Sequence, residues 1–247
     1  MTKRSMFLVG AVAIVGATLF AVDQHWRKVE TPPMPAEALL PAAVVLSTAD
    51  IDTPEEILRL AVSEWKKVED YQCTATSLNR LGSNIERNVI SIIYKKPGLF
   101  RHAIVEGTSR GVLITYNRDG VVHARPGGLL SLMTVQMDPR DQRLLDARGR
   151  PFFQTDWGTE LTRMEEDTRH GASLARLSDQ DLDGTVCWVL HMQLPGPYEE
   201  TLDVWIDQAT HLPRRLVTLR RGQTIRDASF TNIALNTKPA DQVFSLK

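Results

Sequence analysis

The sequence has little that would mark a reaction or a charged partner. Its formal charge is −1 at neutral pH over 247 residues, with 29 basic and 30 acidic side chains. No global positive field exists to hold a polyanion, and nucleic acid is set aside as a partner. The two cysteines, Cys73 and Cys187, stand far apart and outside any metal-ligand spacing. The six histidines include no H-x-x-x-H or H-E-x-x-H pair, which removes the common helical metal sites. Neither metal nor cofactor is expected.

Two motif-like stretches fail on context. Gly107-Thr108-Ser109-Arg110-Gly111 matches G-x-S-x-G, but a nucleophile elbow needs a helix after its serine. Here "VLITY" comes next, with Val112, Ile114 and Tyr116 alternating as in a strand, so the glycines are expected in a turn. Asp179, Asp181, Asp183 and Gly184 copy the first half of an EF-hand loop. Its twelfth position is Leu190 where calcium needs a bidentate glutamate, so Asp183-Gly184 reads as a hairpin turn.

What is present begins at the N-terminus. Lys3 and Arg4 precede an uncharged run from Met6 to Val22, "MFLVGAVAIVGATLFAV". This length suits either a cleaved signal or a retained signal anchor, and both stay open. Arg27 and Lys28 on the far side blur the positive-inside argument. The remainder is expected to be exported to the periplasm or cell envelope, tethered to the inner membrane if residues 6–22 are retained. Export permits a disulfide between Cys73 and Cys187; two buried thiols are the alternative. The expected organisation is a signal or anchor over 1–26, a Pro/Ala-rich linker over 27–50, and one β domain over 51–247.

That domain opens with a helix. Thr53 is placed to cap it, Pro54 suits the first helical position, and Glu56 completes a capping box. Ile57, Leu58, Ala61, Trp65 and Val68 share one face. From Tyr71 the period changes to two, with turn signals at Gly82, Pro97-Gly98 and Asn117–Gly120, which predicts consecutive antiparallel strands. "GGLLSLMTVQMDPRDQRLL" has Leu129, Leu132, Met133 and Gln136 at helix-like intervals and reads either as a surface helix with one buried face or as a flexible lid over an apolar interior. "TDWGTELTRMEED" reads as a helix capped by Thr155 or Asp156. Strands resume, with Val186, Trp188, Leu190, Met192 and Leu194 on one face. Arg214, Arg215, Arg220, Arg221 and Arg226 make the last hairpin basic, either as a solvated face or as a dock for an anionic headgroup or acidic partner.

Two groups of stretches carry a resemblance. "LDVWIDQATHLPRRL" with "FTNIALNTKPADQVFSL" resembles the C-terminal end of the lipoprotein-carrier superfamily of LolA, LolB and RseB relatives. "YQCTATSLNRL", "ARPGGLLSLMTVQMDP" and "GRPFFQTDWGTEL" are similar to segments of the family called domain of unknown function 1571 (DUF1571). Phe152-Phe153-Gln154 departs from that family's Tyr-Pro-Ile. The resemblance implies an α+β fold: a strongly curved antiparallel half-barrel with helices covering the concave face, preceded by an N-terminal hydrophobic helix. It also implies an interior suited to acyl chains, and it brings no catalytic residues.

The expected function is therefore non-catalytic binding of a lipid, lipoprotein or other hydrophobic ligand. Trp188, Leu190 and Met192 would form one wall, and Leu129, Leu132 and Met133 the lid. The alternatives are a sensor or regulatory module with a filled barrel, gripping an envelope protein through its basic hairpin, and a hydrolase using Ser109.

Overall fold

The computed structural model describes residues 53–246, all within one compact unit, Leu46–Lys247. The expected signal or anchor and the linker lie outside the described residues. Among the latter, no helix is long and apolar enough to cross a membrane.

Helix α1 spans Pro54–Lys67. Thr53 caps it, its hydroxyl accepting from the Glu56 amide at 3.3 Å and donating to the Glu56 carboxylate at 3.0 Å. Every residue assigned to its apolar face is buried. Strands β1 (Asp70–Leu81), β2 (Asn84–Lys95), β3 (Leu99–Gly107), β4 (Leu113–Tyr116), β5 (Val122–Arg125) and β6 (Val135–Met137) form a meander after it. Helix α2 (Trp157–Arg169) comes next, capped by Asp156. Then come β7 (Ser173–Leu182), β8 (Thr185–Gln193), β9 (Glu200–Asp207), β10 (Pro213–Arg220) and β11 (Gln223–Leu235).

All eleven strands form one open, curved, antiparallel sheet in the order β6-β5-β4-β3-β2-β1-β11-β10-β9-β8-β7. The two meanders join where β1 pairs with β11, Tyr71 opposite Leu235 and Ala75 opposite Phe230. This order dictates the place of the second helix. The chain leaves β6 at one edge and must reach β7 at the other, so the segment carrying α2 crosses the sheet. Its apolar side chains Trp157, Leu161 and Met164 then pack into the same core as α1 and the inner side of the strands.

That core has an aromatic centre. Trp157 stacks on Tyr71 with centroids 4.2 Å apart and planes 7° from parallel, and Tyr71 stacks on Tyr94 at 5.1 Å. Trp65 of α1 closes the group, 5.5 Å from Tyr94 and 6.3 Å from Trp157. Its indole occupies the space where a Cβ on residue 158 would stand, so Gly158 of α2 is what lets the helices approach. A smaller cluster of Cys187, Val189, Trp205 and Val217 forms on the opposite face, which explains why β8 is apolar on both sides.

Several expectations are corrected. The stretch 127–145 is not a helical lid: it forms a 3-10 turn at Gly128–Leu130, strand β6, and a second 3-10 turn at Gln142–Leu144. A short helix there would have nothing among the described residues to bury its leucines against, because β6 is the edge of the sheet. Cys73 and Cys187 are free and buried. Four strands' width separates β1 from β8, and the thiols belong to clusters on opposite faces, so no bridge forms. Val186, expected to face inward with Trp188, is 50 % exposed, since the core stops short of that end of β8.

Candidate functional site

The expected wall residues Trp188, Leu190 and Met192 do come together. All three are buried in the main core, in register with Ile206, Val204 and Leu202 of β9. They line no open trough, because α1 and α2 pack into the same cluster. The expected lid residues lie elsewhere. Leu129, Leu132 and Met133 sit on the β5–β6 connection, at the far edge of the sheet from β8, with Leu129 92 % and Leu132 94 % exposed. The six residues therefore do not form one site.

Ser109 occupies the β3–β4 turn, its amide donating to Asn88 Oδ1 at 3.0 Å. Gly107 and Gly111 adopt φ of 105° and 86°, the left-handed conformations that turn requires. The strand predicted after it is β4, so G-x-S-x-G falls on a hairpin. Asp183 and Gly184, at φ 53° and 84°, form the β7–β8 turn, with Asp181 Oδ1 accepting from the Gly184 amide at 2.7 Å. Among the described residues, no cluster of histidine, cysteine and carboxylate side chains could hold a metal ion.

The arginines of the last hairpin are mostly ion-paired. Arg214 donates to Asp207 at 2.7 and 2.9 Å, and Arg215 to Asp227 at 2.7 and 3.0 Å. Arg220 reaches Glu200 at 2.6 Å, and Arg226 pairs with Glu160 at 2.5 Å. Four of the five arginines thus have carboxylate partners, and the hairpin presents no bare cationic face.

Glu160 anchors a network that composition and spacing did not reveal. It is 2 % exposed on α2 and accepts from Arg150 as well as Arg226. Arg150 also grips Asp146 at 2.6 Å, and Arg148 reaches Glu200 at 3.2 Å. Burial alone would push the Glu160 carboxyl up, but the two guanidiniums outweigh it and hold it at about 2. The one available signal was a glutamate three residues after Trp157 and one before Leu161, on the apolar side of a helix. A charge there requires a buried partner.

The residues that carried the resemblance have structural work. Asp207 of the "WID" stretch accepts from the Ala209 amide at 2.8 Å and holds the β9–β10 turn through Arg214. Asn236 takes the left-handed conformation, φ 55°, and accepts from the Glu69 amide at 2.8 Å, tying the end of β11 to the start of β1. Phe244 is fully buried.

Among the described residues, the hollows on the surface include two. The larger, about 490 Å³, is lined by Arg101, Leu113, Arg125, Gln242, Val243, Ser245 and Leu246. The smaller, about 290 Å³, lies beside Thr76, Asn88, Glu106 and Asp227. Neither is lined by the expected wall residues.

No family model and no curated protein matches the chain. The DUF1571 resemblance accordingly stays at the level of short motifs. Solved structures do show similarity. Lipoprotein LppX of Mycobacterium tuberculosis has a TM-score of 0.49 at 11 % identity, covering 76 % of this chain and 96 % of that one. An uncharacterised conserved protein of Thermus thermophilus has 0.48 at 16 %, covering 77 % and 91 %. A LolA superfamily protein of Nitrosomonas europaea has 0.39 at 12 %, covering 79 % and 98 %. At such identities the likeness concerns the path of the chain and not its chemistry.

Proposed function

We propose that the protein is a non-catalytic binding module of the cell envelope, its interior occupied by its own helices, which engages a protein partner from its surface. The observation that carries this reading is the packing of α1 and α2 against Trp188, Leu190 and Met192, with Ile57, Ala61 and Trp157 fully buried. The uncharged run Met6–Val22 behind Lys3 and Arg4 supports export and an envelope location.

The second reading, binding of a lipid, lipoprotein or other hydrophobic ligand, is favoured by the apolar side chains standing exposed on the β5–β6 connection. For a guest to reach the expected wall, a helix must leave. Exposing one large buried aliphatic or aromatic side chain costs about 1.5–3 kcal/mol. The buried residues of α1 (Ile57, Leu58, Ala61, Val62 and Trp65) together cost roughly 10 kcal/mol on that scale. An acyl chain returns about 0.8 kcal/mol per methylene, so a chain of roughly twelve methylenes is needed to offset the loss. The resting state is therefore the filled one.

Native mass spectrometry of the chain purified from cells separates the two readings. The filled-module reading expects bare polypeptide, with in-cell cross-links to a protein partner placed on the surface. A stoichiometric lipid adduct would transfer the case to the carrier reading.

A further inference from the structure

We propose that the β5–β6 connection docks into the headgroup region of an anionic lipid bilayer, its apolar tip among the upper acyl segments and the hollow at its base around a lipid phosphate. Residues 126–137 carry no charged side chain. Leu129 and Leu132 are almost wholly exposed, and Leu130, Met133 and Val135 are exposed beside them. Side chains this exposed stand out from the surface instead of lining a groove. A protein partner would have to supply a matching cavity, whereas a bilayer accepts a projecting tip of any shape.

The tip is built for a medium of low polarity. Its turns satisfy backbone groups internally, the Ser131 amide donating to Gly128 O at 3.1 Å and the Met133 amide to Leu130 O at 3.0 Å. Its base is pinned to the β3–β4 turn: a Cβ on Gly127 would fall 2.6 Å from Arg110 O and 3.2 Å from the Gly111 Cα. A fixed shape means little ordering entropy is lost on insertion.

Charge complementarity selects the lipid. Leu113 pairs with Arg125, and Arg101 pairs with Thr115 two residues along β4, so the two arginines share a face of the sheet and one hollow. Arg125 donates to Thr134 of the connection at 3.4 Å, which puts that hollow at the tip's base. Arg101 is half-buried and has no carboxylate partner among the described residues. A guanidinium partly stripped of water, with no carboxylate partner among the described residues, suits a phosphate oxygen. Exposed Arg110 and Arg140 flank the tip, with Asp138 beside the latter accepting from the Arg140 amide. The Met6–Val22 run points to the same environment from sequence alone. This docking is independent of whether the interior is filled.

The test uses the full chain with a single new cysteine bearing an environment-sensitive fluorophore. The native thiols are buried and stay unlabelled. Leu132→Cys reports the tip, and Ser178→Cys on β7 reports the opposite sheet edge. With nanodiscs containing phosphatidylglycerol, emission at position 132 shifts to the blue and is quenched by spin-labelled lipid, while position 178 stays water-like. Arg101→Gln removes the preference for phosphatidylglycerol over phosphatidylcholine without changing the melting temperature. Water-like emission at both positions, quenching at both alike, or equal signals with the two lipids would overturn the proposal.

Discussion

Replacing Glu160 by glutamine tests whether charge, and not only packing, holds α2 across the sheet. The carboxylate sits between Arg150 and Arg226, and glutamine keeps its size while removing its charge. Moving a carboxyl from its ordinary 4.5 to about 2 corresponds to about 3 kcal/mol of folding free energy, at about 1.4 kcal/mol per tenfold. Breaking a buried pair from one side costs about 3–5 kcal/mol, in agreement. The depressed folded value fixes the sign. The contribution is complete above the unfolded carboxyl's 4.5 and disappears as pH falls through about 2. Urea unfolding of both proteins is the assay. The stability gap should be about 3 kcal/mol at pH 7 and close to nothing at pH 2. A gap below about 1 kcal/mol at pH 7, or one that does not change with pH, would refute the electrostatic reasoning.

Gly158→Ala should destabilise by about 1–3 kcal/mol in thermal melts, because the new methyl overlaps the Trp65 indole. Alanine's better helix propensity, worth about 1 kcal/mol, would dominate and raise stability if that contact were loose. The thiols should be inert: burial pushes Cys73 up to about 12, and burial with the nearby Asp207 charge pushes Cys187 up to about 11. Dithiothreitol should leave the melting temperature unchanged, and iodoacetamide should label the chain only in denaturant. Rapid labelling of the native protein would contradict the buried, unbridged assignment.

The α1 boundaries, its buried face and most of the strands could be read directly, since those signals are local: a cap, a period, a turn residue. Asp183-Gly184 and Gly107–Gly111 were recognisable as turns because a strand comes directly after each. The segment 127–145 departs from its helical spacing for a reason of the same kind. Leu129, Leu132 and Met133 have helical spacing, but spacing reports a helix only where something covers its apolar face, and at the edge strand β6 nothing among the described residues does. The Glu160 network was out of reach because Arg150, Glu160 and Arg226 are brought together by the crossing of α2 over the sheet. The pairing of the basic hairpin was out of reach similarly. Counting arginines ignores the carboxylates of Asp207, Asp227 and Glu200 that the register sets beside them.

A trough lined by Trp188, Leu190 and Met192 exists in this fold, but α1 and α2 fill it. The distinction between a filled module and a carrier is then the free energy at which those helices leave. Hydrogen exchange of backbone amides in α1 and α2, with and without envelope lipids, reads that quantity directly. The account predicts that both helices exchange only with global unfolding, at the same rate as β1 and β11, and that lipid does not speed that exchange. Opening of α1 well below the global free energy, further promoted by lipid, would contradict it.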